Sequence, residues 1–324
     1  MSDAKIPVLI DCDPGIDDAV ALTLAFGCGR LDVLGVATVA GNTTGENTYR
    51  NARKFLSFIG AEVEVARGAD KPMLRPLVTA PDVHGKTGLG AIGETEDGGT
   101  GNDVTDTAGR SALDLITEIL LNHPTKVTLI PVGPLTNIAI AFLARPEIKD
   151  RIEKIVLMGG AALEGNRTPA AEFNIYVDPE AARVVFDSGV PITMIGLDVT
   201  HQALIYPDEI EALRKLGLVG RIVAELMDFY GHHYRKRFEG NPIHDALAVA
   251  AVFEPDIVST RHVNVCVETS GEFTLGRTVV DFRGVTGREP NCDVALGVDR
   301  ERFINLIFAA VQNLERRREV RSRE

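Results

Sequence analysis

Hydrophobic positions along the chain gather into short β-branched runs, most followed by a Gly- or Pro-bearing turn and then by a stretch with helical spacing. Ile6 to Ile10 reads as a buried strand, Pro14-Gly15 as a turn, and Ala19 to Phe26 as a helix. Asp32 to Ala40 reads as a second strand closed by Gly41-Asn42-Thr43-Thr44, with a helix from about Glu46 to Ile59. The rhythm resumes with a helix near Ser111 to Asn122, a strand Val127 to Pro131, a helix over Ile138 to Leu143 and a strand Lys154 to Met158. Pro179 to Ser188 then reads as a helix and Pro191 to Leu197 as a strand, while Pro207 to Arg237 reads as mostly helical. A turn at Gly240 precedes a helix opened by His244-Asp245; strands follow at Val263 to Val267, Thr278 to Asp281 and Cys292 to Leu296, and a helix from Arg300 to about Glu315. Alternating strands and helices predict an α/β fold: one domain over 1–324, with a mostly parallel, Rossmann-like central sheet flanked by helices.

Residues 68–109 interrupt the pattern with Pro72, Pro76 and Pro81, then His84-Gly-Lys-Thr-Gly88-Leu-Gly90 and a second glycine-rich stretch ending near Gly101. Loops of this length are usually functional or disordered, and Gly85, Gly88 and Gly90 lack the spacing of a phosphate-binding loop. The segment is a candidate mobile lid, and His84 within it either reaches the site or sits in solvent.

Composition narrows the class. The chain has 324 residues, 45% hydrophobic and 25% charged, as globular proteins do. A net charge of −12 without a Lys/Arg stripe argues against a nucleic-acid polymer as partner, because phosphate backbones are held by clustered cations. Arg316 to Arg323 alternates with Glu315, Glu319 and Glu324 and reads as a solvated face. No 18-residue apolar run and no leader before Lys5 are visible, so neither a membrane partner nor secretion is expected, and cytoplasm is the default. Cys12, Cys28, Cys266 and Cys292 form no CxxC pair and read as reduced thiols.

The chemistry concentrates at the front. Asp11, Asp13, Asp17 and Asp18 put four carboxylates within eight residues, at a strand end and a helix start. A helix N-terminus carries about half a positive charge, too little for four acids, whereas a hard divalent cation takes oxygen ligands from Asp. An EF-hand is excluded, since counting from Asp11 puts Ile16 where Gly is needed and Leu22 where Glu is needed. Asn42 ends the second strand, and the strand before Val132 exposes backbone carbonyls that such a cation also accepts. The loop with Glu164, Asn166, Glu172, Phe173, Asn174 and Asp178 suits hydroxyl recognition, though a polar surface loop has the same composition. Tyr230, His232, His233 and Tyr234 near a helix end either stack on a flat ligand or pack.

Asp11-Cys-Asp-Pro-Gly-Ile-Asp-Asp18, Gly41-Asn42, Gly133-Pro-Leu-Thr-Asn137, Met158-Gly-Gly160, Glu172-Phe-Asn174 and His244-Asp245 together resemble the nucleoside hydrolases, over residues 6 to about 250. The resemblance implies hydrolysis of the N-glycosidic bond of ribonucleosides to free base and ribose. It implies Ca2+ held by Asp13, Asp18, Asp245 and the main-chain carbonyl of Val132, where the family often has Thr. Asp13 is then also the general base for the Ca2+-bound water, which Asn42 holds; Asp17 and Asn174 grip the ribose 2′ and 3′ hydroxyls, Asn166 and Glu172 the 5′ hydroxyl, and Asp11 supports from behind. His244 resembles the leaving-group acid of the inosine-uridine and pyrimidine-preferring branches. The absence of Trp favours that branch over the purine-specific one, leaving Phe173, Tyr230, Tyr234 and His84 as candidate walls around the base. Inosine and uridine are the favoured substrates, nucleoside salvage the implied role, and a homodimer or homotetramer the implied assembly.

The physics agrees. Loss of the base leaves an oxocarbenium-like ribose, which an anionic pocket stabilises, and a positioned imidazole is worth roughly 10²–10⁴ in rate. Two other readings fit parts of the chain. Leu9-Ile-Asp11-Cys-Asp13 also resembles the Asp-x-Asp of the haloacid dehalogenase class of Mg2+-dependent phosphatases, but Pro14 follows where that class has Thr or Val. A Ca2+-dependent nucleoside- or sugar-binding protein without activity would use the same scaffold.

Overall fold

The structure, a computed structural model, is described for residues 4–90 and 109–321. Its front half runs β1 (Ile6–Cys12), α1 (Ile16–Gly27), β2 (Leu31–Thr38), α2 (Gly45–Phe58), β3 (Val65–Arg67), α3 (Pro81–His84), α4 (Ala112–Asn122), β4 (Val127–Pro131), α5 (Thr136–Ala144) and β5 (Ile152–Met158). It continues with α6 (Phe173–Val177), α7 (Pro179–Phe186), β6 (Ile192–Ile195), α8 (Leu197–Thr200), β7 (Leu204–Ile205), α9 (Pro207–Arg214) and α10 (Leu218–Tyr234). Last come β8 (Asn241–Pro242), α11 (His244–Phe253), β9 (Val258–Val267), β10 (Thr278–Asp281), β11 (Cys292–Val298) and α12 (Arg300–Arg321).

The main sheet has the order β10-β9-β11-β6-β5-β4-β1-β2-β3. From β3 across to β11 all neighbours are parallel, and β9 and β10 add an antiparallel edge. From β1 the chain winds outward through β2 and β3, then returns to β4 beside β1 and winds the other way through β5 and β6. In open α/β sheets ligands bind beyond the strand ends at such a reversal. Register makes those ends level: Asp11 lies beside Ala37 of β2 and Pro131 of β4.

Both faces of the sheet are covered, which is why the central strands read as continuous apolar runs. One core packs α1, α10, α11 and α12 against the sheet, and the second packs α4, α5 and α7 on the other face. α1 lies against both α11 and α12. All of α11 and nearly all of α1 are buried, so the helices that begin at the acids are core elements.

Several elements depart from the sequence pattern. β3, three residues long, falls below any periodicity signal. The stretch 207–237 is two helices, separated at Gly217, whose φ of +140° suits glycine. The Glu315 carboxylate of α12 accepts the Val219 and Gly220 N–H groups and so caps α10. The strand expected over 191–197 stops at Ile195, and Gly196 starts α8 instead. α12 extends to Arg321, where Arg317, Arg318 and Arg321 donate to the Phe26, Phe58 and Gly60 carbonyls near the ends of α1 and α2. Of the candidate lid, 91–108 lie outside the described residues; 68–90 are described, with α3 against α10. Among the described residues no helix is long and apolar enough to cross a membrane.

Candidate active site

The end of β1 supplies the floor. Asp13 is fully buried; its Oδ2 accepts the Asn42 N–H at 2.7 Å, while Oδ1 has no partner among the described residues. Gly41 and Gly133 press their backbones onto this carboxylate, and a Cβ at Gly133 would stand 2.6 Å from Oδ1. Asp18, at the third position of α1, reaches back over the turn to accept the Gly15 N–H at 2.7 Å and the Asp13 N–H at 3.1 Å. The Asn42 amide ties the two together, donating to Asp18 Oδ2 at 3.1 Å and to the Asp13 carbonyl at 3.3 Å. Asp11 stands behind this layer, accepting from Asn137 Nδ2 at 2.8 Å, and Asn137 also bonds the Thr38 carbonyl and the Ala69 N–H.

Asp245, on the first turn of α11, joins these acids. Asp17, Asp18 and Asp245 offer carboxylate oxygens that all lie within 4.8 Å of one another, and Asp17 Oδ1, 3.9 Å from His84 Nδ1, is a second buried oxygen without a hydrogen-bond partner among the described residues. Close anionic oxygens of this kind, with bonding capacity unspent, fit a hard divalent cation. That trio contains Asp17 and not Asp13, although Asp13 touches the same network through Asn42.

At the end of β5, Glu172 caps α6 and bonds three backbone N–H groups: Asn174 at 2.8 Å, Gly160 at 2.9 Å and Ile175 at 3.1 Å. Asn174 Nδ2 donates to the Val132 carbonyl at 2.9 Å, and Asn166 Oδ1 accepts the Phe173 N–H at 2.9 Å. A carbonyl has two acceptor sites, so the Val132 oxygen keeps one free for a ligand.

The far end is aromatic. Tyr230 OH donates to Asp17 Oδ2 at 3.2 Å and lies 3.4 Å from Tyr234 OH, which lies 3.2 Å from His244 Nε2. His244 Nδ1 is 2.7 Å from Thr200 Oγ1. His84 is buried: its Nδ1 accepts the Ile16 N–H at 3.1 Å and its ring lies 5.7 Å from that of Tyr230. Asp17, Asn42, His84, Val132, Asn166, Glu172, Phe173, Asn174, Tyr230, Tyr234, His244 and Asp245 line one pocket, with Asp13 and Asp18 buried beneath it. Met158, from the Met158-Gly-Gly160 motif, and Arg237 line the pocket as well, and His201 and Thr200 also belong here although no motif singled them out. His201 and Thr200 follow the shortened β6, and position after a strand is the signal that points to them.

Burial sets the charges. It pushes the carboxyls of Asp11 and Asp18 up to about 7 and that of Asp17 to about 6; those of Asp13 and Asp245 rise well above the usual range, with neighbouring carboxylates adding to burial. Glu172 rises to about 7 for the same first reason, despite its backbone donors. Burial also holds His84 down to about 3 and His201 to about 4, and His244 well below its ordinary value. A bound cation reverses the carboxylate trend, because it favours the charged form. One end of the pocket is therefore built for positive charge, and the other is neutral, flat and rich in hydrogen-bonding groups.

Residues 8–305 match the family described as inosine-uridine preferring nucleoside hydrolase. The chain is 44% identical to the pyrimidine-specific ribonucleoside hydrolase RihA of Klebsiella pneumoniae, over 93% of this chain and 97% of that protein. It is 45% identical to RihA of Photobacterium profundum, over 95% and 99%. Among solved structures, the purine-preferring ribonucleoside hydrolase of Gardnerella vaginalis superposes with a TM-score of 0.86 at 35% identity, covering 95% of this chain and 98% of that one. An α/β hydrolytic enzyme acting on small nucleosides is the class these features define. The chain belongs to the inosine-uridine preferring nucleoside hydrolases. Membership displaces the phosphatase and the non-enzymatic binding protein as readings.

Proposed function

We propose that the protein hydrolyses ribonucleosides with Ca2+, using Asp13 as general base and His244 as leaving-group acid, and that it accepts uridine and inosine. The observation that carries this reading is the division of one pocket into an acidic end, where Asp13 Oδ1 and Asp17 Oδ1 make no hydrogen bond among the described residues, and an imidazole–phenol end where Tyr230, His244, His84 and Tyr234 are 1–9% exposed. Ca2+ would be held by Asp13, Asp18, Asp245 and the Val132 carbonyl. When bound it supplies positive charge that anchors hydroxyl oxygens and eases removal of a proton from water.

The chain's own residues do the rest. Asp17 and Asn174 hold the ribose 2′ and 3′ hydroxyls and Asn166 and Glu172 the 5′ hydroxyl, so binding far from the bond is converted into placement of C1′. Asp13, with one oxygen tied to Asn42, takes the proton from water with the other, and Asn42 keeps that water in line. The surrounding carboxylates stabilise positive charge growing on the ribose. His244 protonates the departing base, and Tyr230, Tyr234, His84 and Phe173 wall it. The names of the RihA relatives support a pyrimidine preference within this range. Four free cysteines support a reducing compartment, hence a cytoplasmic salvage role, and the family resemblance supports a homodimer or homotetramer.

The test is release of free ribose from uridine, cytidine, inosine and adenosine, with Ca2+ and with chelator, for the wild type and Asp13→Asn. Chelator-sensitive release in the wild type and none in Asp13→Asn at saturating Ca2+ is expected. Substantial turnover by Asp13→Asn would sink the general-base role, and release indifferent to chelator would sink the Ca2+ role.

A further inference from the structure

The aromatic end of the pocket is a continuous line of side-chain hydrogen bonds with an acceptor at one terminus. Tyr230 donates its hydroxyl proton to Asp17 Oδ2 at 3.2 Å. The Tyr230 oxygen is then left to accept from Tyr234 at 3.4 Å, and the Tyr234 oxygen to accept from His244 Nε2 at 3.2 Å. Nε2 therefore carries a proton, and in the neutral ring Nδ1 is the acceptor. The other terminus gives the same answer independently. Thr200 is fully buried, and among the described residues its hydroxyl reaches one side-chain or backbone acceptor, His244 Nδ1 at 2.7 Å. A buried hydroxyl proton needs an acceptor. The opposite polarity would strand the Thr200 proton and break the bond between the two tyrosines.

We propose that Thr200 is a positioning residue for His244: its hydroxyl holds Nδ1, orients the ring and keeps a protonated Nε2 facing the departing base. A hydroxyl suits this task because it donates to the neutral ring at rest and, only while the ring is charged, rotates to accept from Nδ1–H, a state made transient because it leaves the hydroxyl's own proton without an acceptor. It thus grips the imidazole before and after the proton moves. A carboxylate there would hold the ring charged, and a backbone carbonyl would hold the proton on Nδ1. In the transfer the Nε2–H bond of the charged ring breaks and that proton joins the base, which keeps the electron pair of the C1′–N bond; the ring is left neutral, with its other proton on Nδ1 toward Thr200. The ring gains its second proton from solvent before the transfer and Asp13 returns to solvent the one it takes from water, so each turnover consumes one water and no net proton.

This inference rests on His244 as leaving-group acid, and the experiment separates the two. Thr200→Val, Thr200→Ser and His244→Ala are compared on uridine and on 4-nitrophenyl riboside, whose leaving group needs no proton. His244→Ala should lose about 10²-fold or more in kcat on uridine and little on the nitrophenyl riboside. Thr200→Val should lose about 10-fold to 10²-fold with the same selectivity and little change in KM, and Thr200→Ser should recover most of it. The imidazole 15N shifts of the wild type should report the Nε2–H tautomer, and this measurement needs no variant to fold. Equal loss on both substrates for His244→Ala overturns the acid role. A selective His244→Ala with an unselective or silent Thr200→Val, or a wild-type ring protonated on Nδ1, overturns the role of Thr200 alone.

Discussion

At the scale of single residues, the site depends on groups with no side chain at all. Gly133 and Gly41 let two loops close on the Asp13 carboxylate from either side, so its position is set by backbone rather than by flexible neighbours. Gly133→Ala puts a methyl where Asp13 Oδ1 has its unspent capacity. The expected result is a fall in kcat of at least about 10²-fold, as for other misplacements of about 1 Å, with a stability cost of about 1–3 kcal/mol from overpacking. Uridine turnover and thermal unfolding of the variant check both; unchanged kcat would mean that Asp13 moves without consequence. The acids, Asn42, the Glu172-Phe-Asn174 run and the His244-Asp245 pair were legible because each stands just after a strand or at a helix start, where sequence pattern and chemistry coincide. Thr200 was not, since a threonine in a four-residue helix has neither periodicity nor an ionisable group to draw attention. Nor could sequence decide whether His84 was solvated, because its burial is set by α10, far along the chain.

At the scale of elements, α10 shows how a helix that lines the pocket is held in place. Its first turn leaves N–H groups without intrahelical partners, and Glu315 of α12 accepts from Val219 and Gly220. Glu315→Ala should lower stability by about 1–2 kcal/mol, read by urea unfolding. Uridine kcat should stay within about twofold, because Tyr230 and Tyr234 occupy the other end of the helix. A large loss of activity without loss of stability would show instead that α10 moves as one lever. This cap joins elements almost a hundred residues apart, so 207–237 read as one helical stretch although Gly217 divides it. The strands buried on both faces were legible as apolar runs, whereas β3 was too short to register and β6 gave way to α8 at Gly196.

At the scale of the whole molecule, the buried acids tie stability to pH and to the cation. Asp11, Asp18 and Glu172 are held at about 7 and Asp17 at about 6, against ordinary values of 3.8 for Asp and 4.5 for Glu. From about pH 4 to about pH 7 the folded chain therefore keeps protons that the unfolded chain has lost. Through these groups the cation-free protein loses stability as pH rises across that window. His84, His201 and His244, kept neutral by burial, act in the opposite sense as pH falls below about 6.5. Comparing Tm with and without Ca2+ isolates the carboxylates, because a ligand must shed its proton to bind. The gain in Tm from Ca2+ should be small at pH 5 and several degrees larger at pH 8. A gain that does not change with pH would place the cation away from this cluster.

The two ends of the pocket also differ in what the molecule risks by changing them. Asp13, Asp17, Asp18 and Asp245 lie on or beside α1 and α11, the helices sunk in the core, so altering that end disturbs the packing of the whole protein. The aromatic end is furnished by α3, by the residues after β6, by His244 of α11 and by one side of α10, whose other side faces solvent. On the proposed reading, ribose contacts are locked to the two core helices, while contacts to the base are shared among several shorter elements and one side of α10. Relatives that share this architecture yet carry names for pyrimidines in one case and purines in another are what such a division of labour allows.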